Sequence, residues 1–538
     1  MSRSAPAATS KSARPLVPTR YSNAKVWLGA DLGFSHCLTV DGGQIASNDM
    51  DCDEVIDCAG AVIVPAFTDG HAHPVLAGRE HSGPAITSAR SIREIQQAVA
   101  SWMAANPGDD WVIGGAYDRS ILPDGKFLAS WLDEVAPDRP VVLHGDDHHT
   151  IWVNTEAMRR AGVSERAPEI NEGVVDVDAD GRPTGVFRET DAKDLIFNHQ
   201  PKPSLAQEFA ALEWSHGEML RLGITAVQDA WVDDDLARVY LQAATQAKLK
   251  VFTNLGFWWQ PTNWQTRLAE SVDARSEVAR IGNPLLRART VKFFLDGVFG
   301  SATASVSQPY ESTGEFGNPV WTRENLLEAT LSASSAGFQL HLHAIGDAAS
   351  TLALDAVEHC TKQLGSLPMP AVMAHLELVH DQDVDRFAKL GVVANFQPLW
   401  GRPDGMLNSC RPQLGARVDE LYRIRDVIDA GAAISFGSDW PVSDPNPLLG
   451  AFTAVKRQVP GQAEQHNQKQ AISLEQALHA YSASSSAQIG ITDRASLLPG
   501  NAADFVVLDA DPFEDATMLP NIQVLKTISG GQTLFTRH

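Results

Sequence analysis

Short runs of apolar and β-branched residues alternate with helix-like segments along most of this 538-residue chain. Such runs are typical of buried strands, whereas apolar residues three or four positions apart are typical of helices. Helix-like segments such as 322–336 and 351–363 lie between the runs. The eight runs are 62–74, 224–230, 249–257, 289–297, 338–347, 371–378, 392–400 and 433–441. Eight strands that alternate with helices predict the α/β class, and specifically a parallel (β/α)8 barrel of the TIM type.

Residues able to bind a metal or transfer a proton lie near the ends of five of these runs. His71 and His73 are two positions apart in the first run, so on an extended strand both imidazoles point to the same side and can reach one ion. In a parallel barrel the active site lies where the strands end. The sequence therefore predicts a metal site there, with six candidate residues: His71, His73, Lys292, His343, His375 and Asp439.

Lys292 is the unusual member of this set, because an ammonium group has no lone pair for a metal. Burial and neighbouring cations lower the pKa of a lysine, and the neutral amine reacts with carbon dioxide to give an anionic carbamate. The two carbamate oxygens can bridge two metal ions held roughly 3.5–4 Å apart. The alternative is a lysine inside the barrel that pairs with Asp296.

Five motifs carry these residues in chain order, GHAHP, VKFFLDG, HAIGD, AHLEL and FGSDWPV, and SLLPGNAADFVVLDADP follows near the C-terminus. With them the chain resembles the amidohydrolase superfamily, and specifically its YtcJ-like, amidohydrolase-3 branch of metal-dependent hydrolases. The resemblance extends from about residue 25 to the C-terminus and implies a relationship to N-substituted formamide deformylases.

The resemblance also assigns roles to the candidate residues. It implies that the first histidine pair and Asp439 hold one divalent ion, and that N-carboxylated Lys292 bridges to a second ion held by His343 and His375. Activated water would attack the carbonyl, and Asp439 would pass its proton to the leaving nitrogen. His341 would line the barrel or support the ligands. Zinc is the expected metal, although manganese, iron and cobalt suit the same ligands.

The rest of the chain divides around the barrel. Strand-like segments occur at both chain ends, and the resemblance implies that they form one composite sheet domain. The stretch after the first strand is too long for an ordinary loop, and the first residues lack acidic and strongly apolar character. We predict a disordered tail at 1–20, a composite β-sandwich at 21–64 and 493–538, a barrel at 65–74 and 224–492, and an inserted lid subdomain at 75–223.

The lid leaves the catalytic face, so we expect it to cover the site and exclude water. The acidic and histidine cluster 146–149 cannot chelate one ion as a whole, because adjacent strand residues point in opposite directions. The resemblance places His149 near the substrate. The candidate substrate contacts are His149, Tyr117, Asp118, Trp152 and Trp440. The alternative is that the lid residues only hold the lid to the barrel.

Tryptophans near the strand ends predict a largely apolar pocket for a hydrophobic or aromatic substituent. These residues are Trp258, Trp259, Trp264, Trp400 and Trp440. Plain packing at the strand ends is the alternative role for them.

Composition and charge limit the classes of molecule that this protein is expected to bind. A formal net charge of −23 argues against nucleic acid and anionic membranes as partners. No run approaches the roughly 18 apolar residues of a membrane helix. Five cysteines without a CxxC pair indicate a reducing compartment, so we expect a cytoplasmic protein. Homo-oligomerisation stays open.

The sequence thus predicts a binuclear hydrolase that cleaves the C–N bond of an N-substituted formamide or another N-acyl amide. Carbamates, ureas, cyclic amides, esters and lactones are alternative substrates for the same machinery. A mononuclear deaminase and a non-catalytic barrel that binds small molecules are further alternatives. The presence of Lys292 and Asp439 argues against the non-catalytic barrel, and the bridging lysine argues against the deaminase.

Overall fold

A computed structural model describes residues 17–108, 110–122, 125–170, 173–494 and 496–537. Within these ranges the strands are β1 (Thr19–Ser22), β2 (Lys25–Gly29), β3 (Gly33–Ser35), β4 (Leu38–Asp41), β5 (Gln44–Ala46), β6 (Glu54–Asp57), β7 (Val62–Pro65), β8 (Phe67–Ala72), β9 (Val112–Tyr117), β10 (Val141–Gly145), β11 (Thr150–Val153), β12 (Val174–Val177), β13 (Pro183–Arg188), β14 (Ile224–Val232), β15 (Phe252–Trp259), β16 (Leu286–Phe294), β17 (Gln339–Ala344), β18 (Val372–His375), β19 (Val393–Phe396), β20 (Ile434–Phe436), β21 (Phe505–Leu508), β22 (Val524–Ser529) and β23 (Gln532–Thr536).

The α-helices of the same ranges are α1 (Pro74–His81), α2 (Ile92–Ala105), α3 (Ala129–Asp133), α4 (Thr155–Arg160), α5 (Thr190–Phe197), α6 (Leu205–Arg221), α7 (Asp234–Thr245), α8 (Trp264–Ile281), α9 (Arg323–Ser335), α10 (Asp347–Leu364), α11 (Asp381–Leu390), α12 (Gly405–Leu414), α13 (Ile424–Asp429), α14 (Pro447–Lys456), α15 (Leu474–His479) and α16 (Ser485–Gln488). None of them combines the length and apolar character needed to span a bilayer.

The predicted parallel barrel is confirmed, with its eight strands in the order β8, β14, β15, β16, β17, β18, β19 and β20. Its first and last strands meet where the amide of Asp439 donates to the carbonyl of His71 over 2.7 Å. On β16, Phe293 packs against Trp321 on the helical side, whereas Lys292 points inward to His71. This alternation follows from the two-residue period of a strand, and it delivers polar residues to the barrel interior.

The first predicted strand is two strands in the structure. Residues 62–74 were predicted to form one run, but the pairing changes at Ala66. Strand β7 pairs with β2 and β21 outside the barrel, and only β8 enters the barrel beside β14. A continuous apolar run thus serves two neighbouring sheets.

Strands from the two chain ends lie in one six-stranded sheet, in the order β23, β22, β21, β7, β2 and β3. A four-stranded sheet, ordered β5, β4, β1 and β6, packs on it around a shared core that includes Tyr21, Val26, Leu38, Ile63 and Phe505. Of the predicted tail 1–20, residues 1–16 lie outside the described residues, whereas Thr19 and Arg20 begin β1.

The stretch between the first two barrel strands contains a five-stranded sheet of its own, in the order β12, β13, β11, β10 and β9. Its core is built from apolar side chains such as Val112, Leu143 and Val186. Helix α1 follows the metal-site strand directly, and Ser215 of α6 donates to the carbonyl of Pro74 over 2.5 Å. The inserted unit therefore begins and ends on helices that are joined beside the site.

Candidate metal centre

One cluster of three predicted ligands forms at the junction of the first and last barrel strands. The possible ligand atoms of His71, His73 and Asp439 all lie within 4.8 Å of one another. The nearer Asp439 oxygen, Oδ1, lies 2.9 Å from His73 Nε2 and 3.4 Å from His71 Nε2. Asp439 takes a positive φ of 55°, a strained conformation for a residue with a side chain. This backbone turn directs the carboxylate into the cluster.

His343 and His375 form a second group beside the first. Their ring centroids are 4.4 Å apart, and the His375 ring is 4.8 Å from that of His71. Nδ1 of His343 is buried and has no hydrogen-bond partner among the described residues. Nδ1 of His375 lies 2.9 Å from Gln397 Oε1, and donation to that oxygen leaves Nε2 with a free lone pair. Both side chains thus have a nitrogen available for a metal.

Lys292 is fully buried beside the first group, and in addition to burial its charge lowers the pKa of His343 and His375 in the second group. Its Nζ is 3.3 Å from His71 Nε2. Burial lowers the pKa of Lys292 to about 7, against the opposing effect of the Asp439 charge. The alternative pairing with Asp296 is not formed, because that carboxylate accepts from the backbone amides of Ile345, Gly346 and Ser305.

Two further acidic residues support the first histidine pair and were missed from the sequence. Asp229, on β14, lies 3.8 Å from His73 Nδ1 and accepts from the Tyr240 hydroxyl over 2.7 Å. Asp69 accepts from the backbone amides of His71 and Ser438, and burial raises its pKa to about 6. Both stand inside predicted strands, and Asp69 precedes a ligand by two residues. That period-two spacing is the signal that could have revealed it.

The remaining barrel histidine also supports a ligand. Nε2 of His341 lies 3.0 Å from Nδ1 of His71, which fixes the orientation of that ring. Burial and the Lys292 charge lower the pKa of His71 and of His341 well below the usual range. In contrast, the nearby carboxylates of Asp229 and Asp439 raise the pKa of His73 to about 9, although burial alone would lower it. Four imidazoles, a carboxylate and a buried lysine together fit a site for divalent cations.

Among the predicted substrate contacts, His149 is the lid residue that reaches towards the centre. Its Nδ1 lies 2.8 Å from Glu189 Oε2, and Glu189 Oε1 accepts from the Thr303 hydroxyl of the barrel over 2.8 Å. The His149 side chain is 22% exposed, and it lies close enough to Asp296 and His343 to affect the pKa of both. Lid and barrel are thus joined next to the second histidine group.

Three other predicted substrate contacts have packing or capping contacts within the lid, and their contact with substrate stays a prediction. Tyr117 and Trp152 are fully buried in the lid core, where both pack against Phe127. Asp118 accepts from the amide and hydroxyl of Ser120 and caps a short turn. The sequence pattern could not separate these roles, because a lid with its own core needs buried aromatic residues of its own.

The predicted tryptophans divide between packing and the site. Trp259 and Trp264 donate to side chains of the outer helices, so their assignment to the pocket is corrected. Trp440 is buried and lies 5.5 Å from the ring of Trp214 on α6. Trp400 stacks on His375 at 5.1 Å with an interplanar angle of 3°.

Trp258 forms an aromatic triad with Trp231 and Phe294, at the ends of three consecutive barrel strands. Their centroids are 5.5 to 6.3 Å apart. Trp231 lies 6.1 Å from His73, and Phe294 lies 5.0 Å from His343. Trp231 is 36% exposed, so the triad presents an apolar surface beside both histidine groups.

A parallel barrel with histidines, a lysine and an aspartate gathered at its strand ends defines the class as a metal-dependent hydrolase. The sequence pattern of the amidohydrolase family matches residues 54–535. The chain therefore belongs to the amidohydrolase family, and its relatives place it in the YtcJ-like branch predicted from its motifs.

Two relatives span nearly the whole chain. The putative amidohydrolase YtcJ of Bacillus subtilis (strain 168) is 27% identical over 496 residues, which cover 90% of this chain and 91% of the relative. The N-substituted formamide deformylase of Arthrobacter pascens is 26% identical over 532 residues, with 94% and 95% covered. In the crystal structure of an uncharacterized metal-dependent hydrolase from Pyrococcus horikoshii OT3, the fold agrees with a TM-score of 0.73 at 23% identity, over 93% of this chain and 99% of that one.

Proposed function

We propose that this protein is a binuclear amidohydrolase that cleaves the C–N bond of N-substituted formamides or related N-acyl amides. Histidines 71 and 73 with Asp439 would hold one divalent ion, and His343 with His375 would hold the other. Lys292, carboxylated by carbon dioxide, would lie between them. Zinc suits this donor set well.

The observation that carries the proposal is the environment of Lys292. Its amine is fully buried among histidines, and its pKa is lowered to about 7 chiefly by burial. An amine that is neutral in part at physiological pH can attack carbon dioxide, forming an N–C bond and releasing one proton. The carbamate would add a negative charge between the two proposed metal ions.

The proposed metal ligands and Asp439 would have different roles in the reaction. Bound divalent ions would lower the pKa of an attacking water and polarise the scissile carbonyl. Asp439 would accept the proton of that water. Its Oδ1 lies within the ligand cluster, 2.9 Å from His73 Nε2, and so next to where the water would be activated. The same carboxyl would donate the proton to the leaving nitrogen as the C–N bond breaks. The products are a carboxylic acid and an amine.

His149 is suited to position the substrate. Donation from its Nδ1 to Glu189 leaves Nε2 as an acceptor for the N–H group of a secondary amide. The aromatic triad lies beside the ligands and would contact an apolar or aromatic substituent. Together these features favour an amide that carries both an N–H and an apolar group.

Carboxylation can be tested directly. Protein purified without chelators and equilibrated with ¹³C-bicarbonate should show a carbamate carbon resonance that is missing from a Lys292→Met variant. Equal spectra for the two proteins would refute the bridging lysine. A carbamate signal in a different lysine would show in both proteins and would count against the assignment as well.

The substrate class needs a separate test. N-benzylformamide should be hydrolysed to benzylamine and formate with a much higher kcat/KM than formamide. Trp231→Ala should raise the KM for the benzyl substrate and leave formamide hydrolysis nearly unchanged. Equal turnover of both substrates by the native enzyme would contradict the apolar pocket. Faster cleavage of matched esters or lactones would reassign the substrate class within the same family.

A further inference from the structure

A second charged feature lies outside the metal centre, at the end of α14. Arg457 is fully buried, and its Nε donates to the carbonyl of His466 over 3.1 Å. Its Nη1 and Nη2 have no hydrogen-bond partner in the part of the chain that the structure describes. Arg267 is also buried but differs, because its guanidinium contacts the carboxylates of Asp234 and Glu270. Among the described residues, two charged donors of Arg457 thus have no hydrogen-bond acceptor, and beyond the Nε hydrogen bond the guanidinium has a cation–π contact with the Tyr422 ring.

Three residues surround this guanidinium. A Cβ at Gly401 would lie 2.6 Å from Nη1, so the glycine leaves room for the guanidinium against its backbone. The Arg457 Cζ is 5.9 Å from the Tyr422 ring centroid, and the buried His466 ring is 6.5 Å from the same ring. Nε2 of His466 likewise has no hydrogen-bond partner among the described residues. Free donors from two side chains therefore lie around one aromatic ring.

The protonation states of Arg457 and His466 favour an anion as the partner of their free N–H groups. Burial lowers the pKa of Arg457 to about 10, so the guanidinium remains charged at neutral pH. Burial and the Arg457 charge lower the pKa of His466 to about 4, so that ring is neutral and can donate from Nε2. A buried charge without a counter-charge is strongly unfavourable. A water molecule could accept hydrogen bonds but could not neutralise the guanidinium.

We propose that Arg457 and His466 bind one small monovalent anion of halide size, next to Gly401. The backbone of Gly401 and the ring of Tyr422 lie next to the guanidinium, and a monatomic anion is the smallest partner that would neutralise it. The site is distinct from the metal centre, because it shares no side chain with the proposed ligands.

The anion site has a structural connection to the metal centre. Gly401 ends the short 3-10 turn Pro398–Gly401, and Trp400 in this turn stacks on His375. Loss of the anion would weaken the packing of the turn first and the position of the His375 ring second. We therefore expect a loss of stability that exceeds any loss of activity.

The direct test uses bromide as the probe. Crystals of the native, metal-loaded protein grown in bromide should show an anomalous peak beside the Arg457 guanidinium and His466 Nε2. A structure with ordered side chains and no bromide there would overturn the proposal. This experiment does not depend on the stability of any variant.

Thermal unfolding provides the second test. At constant ionic strength, replacing bromide with gluconate, which is too large for the site, should lower the Tm of the native protein by about 2 °C or more. Arg457→Gln should abolish this dependence. The matched control Arg267→Gln removes a buried arginine that has carboxylate partners and should retain the bromide effect. The same dependence in native protein and Arg457→Gln would contradict a specific site.

Discussion

Two histidine pairs in this protein differ in what sets their direction. His71 lies on β8 and His73 lies just beyond its end, and both turn towards Asp439 because residues two positions apart along an extended chain share a side. His148 and His149 are adjacent in a lid turn and diverge. Nε2 of His148 lies 2.7 Å from Glu80 on α1, whereas Nδ1 of His149 lies 2.8 Å from Glu189. Strand geometry thus builds the first pair, and distant carboxylates orient the second.

The surroundings of each histidine decide whether it is available for chemistry. His71 and His73 are supported by neighbouring strands and form part of the candidate metal centre. In the lid, the His148 side chain forms a buried ion pair with Glu80 on α1. Its backbone has a positive φ of 55°, which directs the side chain away from that of His149. This leaves His149 as the lid histidine that faces the barrel. These two neighbouring histidines therefore have different environments, and only the role of His149 in substrate binding is part of the proposed function.

The largest expected effect comes from the acid–base residue that completes the strand pair. Asp439→Asn keeps an oxygen near both histidines but removes the group that exchanges a proton. We expect kcat to fall about 10²–10⁴-fold. Steady-state rates on the best amide substrate would measure this. As a control, Asp118→Asn changes a lid carboxylate that accepts from the amide and hydroxyl of Ser120 and should leave kcat unchanged. A full rate for Asp439→Asn would exclude the assigned role.

Removal of His148 should mainly affect stability. His148→Ala leaves the Glu80 carboxylate buried without its partner, which costs about 1–3 kcal/mol in the free energy of unfolding. Urea unfolding of the metal-loaded protein would measure the loss. If His148→Ala instead lowered kcat/KM as strongly as Asp439→Asn, the division of roles in the lid would be wrong.

The same pair predicts a pH dependence. Burial lowers the pKa of His148, but the Glu80 carboxylate outweighs this and raises it above 6.5. Its stabilising effect is therefore complete below pH 6.5 and is lost as the pH rises through the raised value. The pKa of Glu80 is lowered from 4.5 despite burial, by the charges of His148 and His144. The stability difference between native protein and His148→Ala should thus be larger at about pH 5.5 than at about pH 8.5, and a constant difference would refute the charged pair.

His149→Ala should give a smaller change, confined to substrate handling. Loss of one neutral hydrogen bond to the amide N–H should reduce kcat/KM about 3- to 10-fold. The effect should be absent for a tertiary amide, which lacks that N–H group. An equal reduction for secondary and tertiary amides would mean that His149 acts on the lid and not on the substrate.

The smallest effect is expected at Tyr117. Its buried hydroxyl has no hydrogen-bond partner within the described ranges, and its ring packs on Phe127. Tyr117→Phe should therefore leave KM unchanged and keep or slightly increase stability. A rise in KM for the amide would return this residue to the substrate pocket.

The barrel and the residues at its strand ends could be predicted because both follow from local periodicity and one topological rule. The lid partners could not, since Glu80 is 68 residues from His148 and Glu189 is 40 residues from His149. Trp231 was missed because the predicted strand ended at residue 230, whereas β14 continues to Val232. Such a short error at a strand end conceals a residue that faces the site.

The proposed binuclear centre places Lys292 between its two metal ions. Its most direct test is the metal content per chain of protein purified without chelators, measured for the native enzyme and for Lys292→Met. A binuclear centre bridged by Lys292 predicts close to two equivalents in the native enzyme and one or fewer in the variant, with both proteins folded by circular dichroism. One equivalent in the native enzyme, unchanged by the substitution and by added metal and bicarbonate, would refute the bridged pair and favour a mononuclear site.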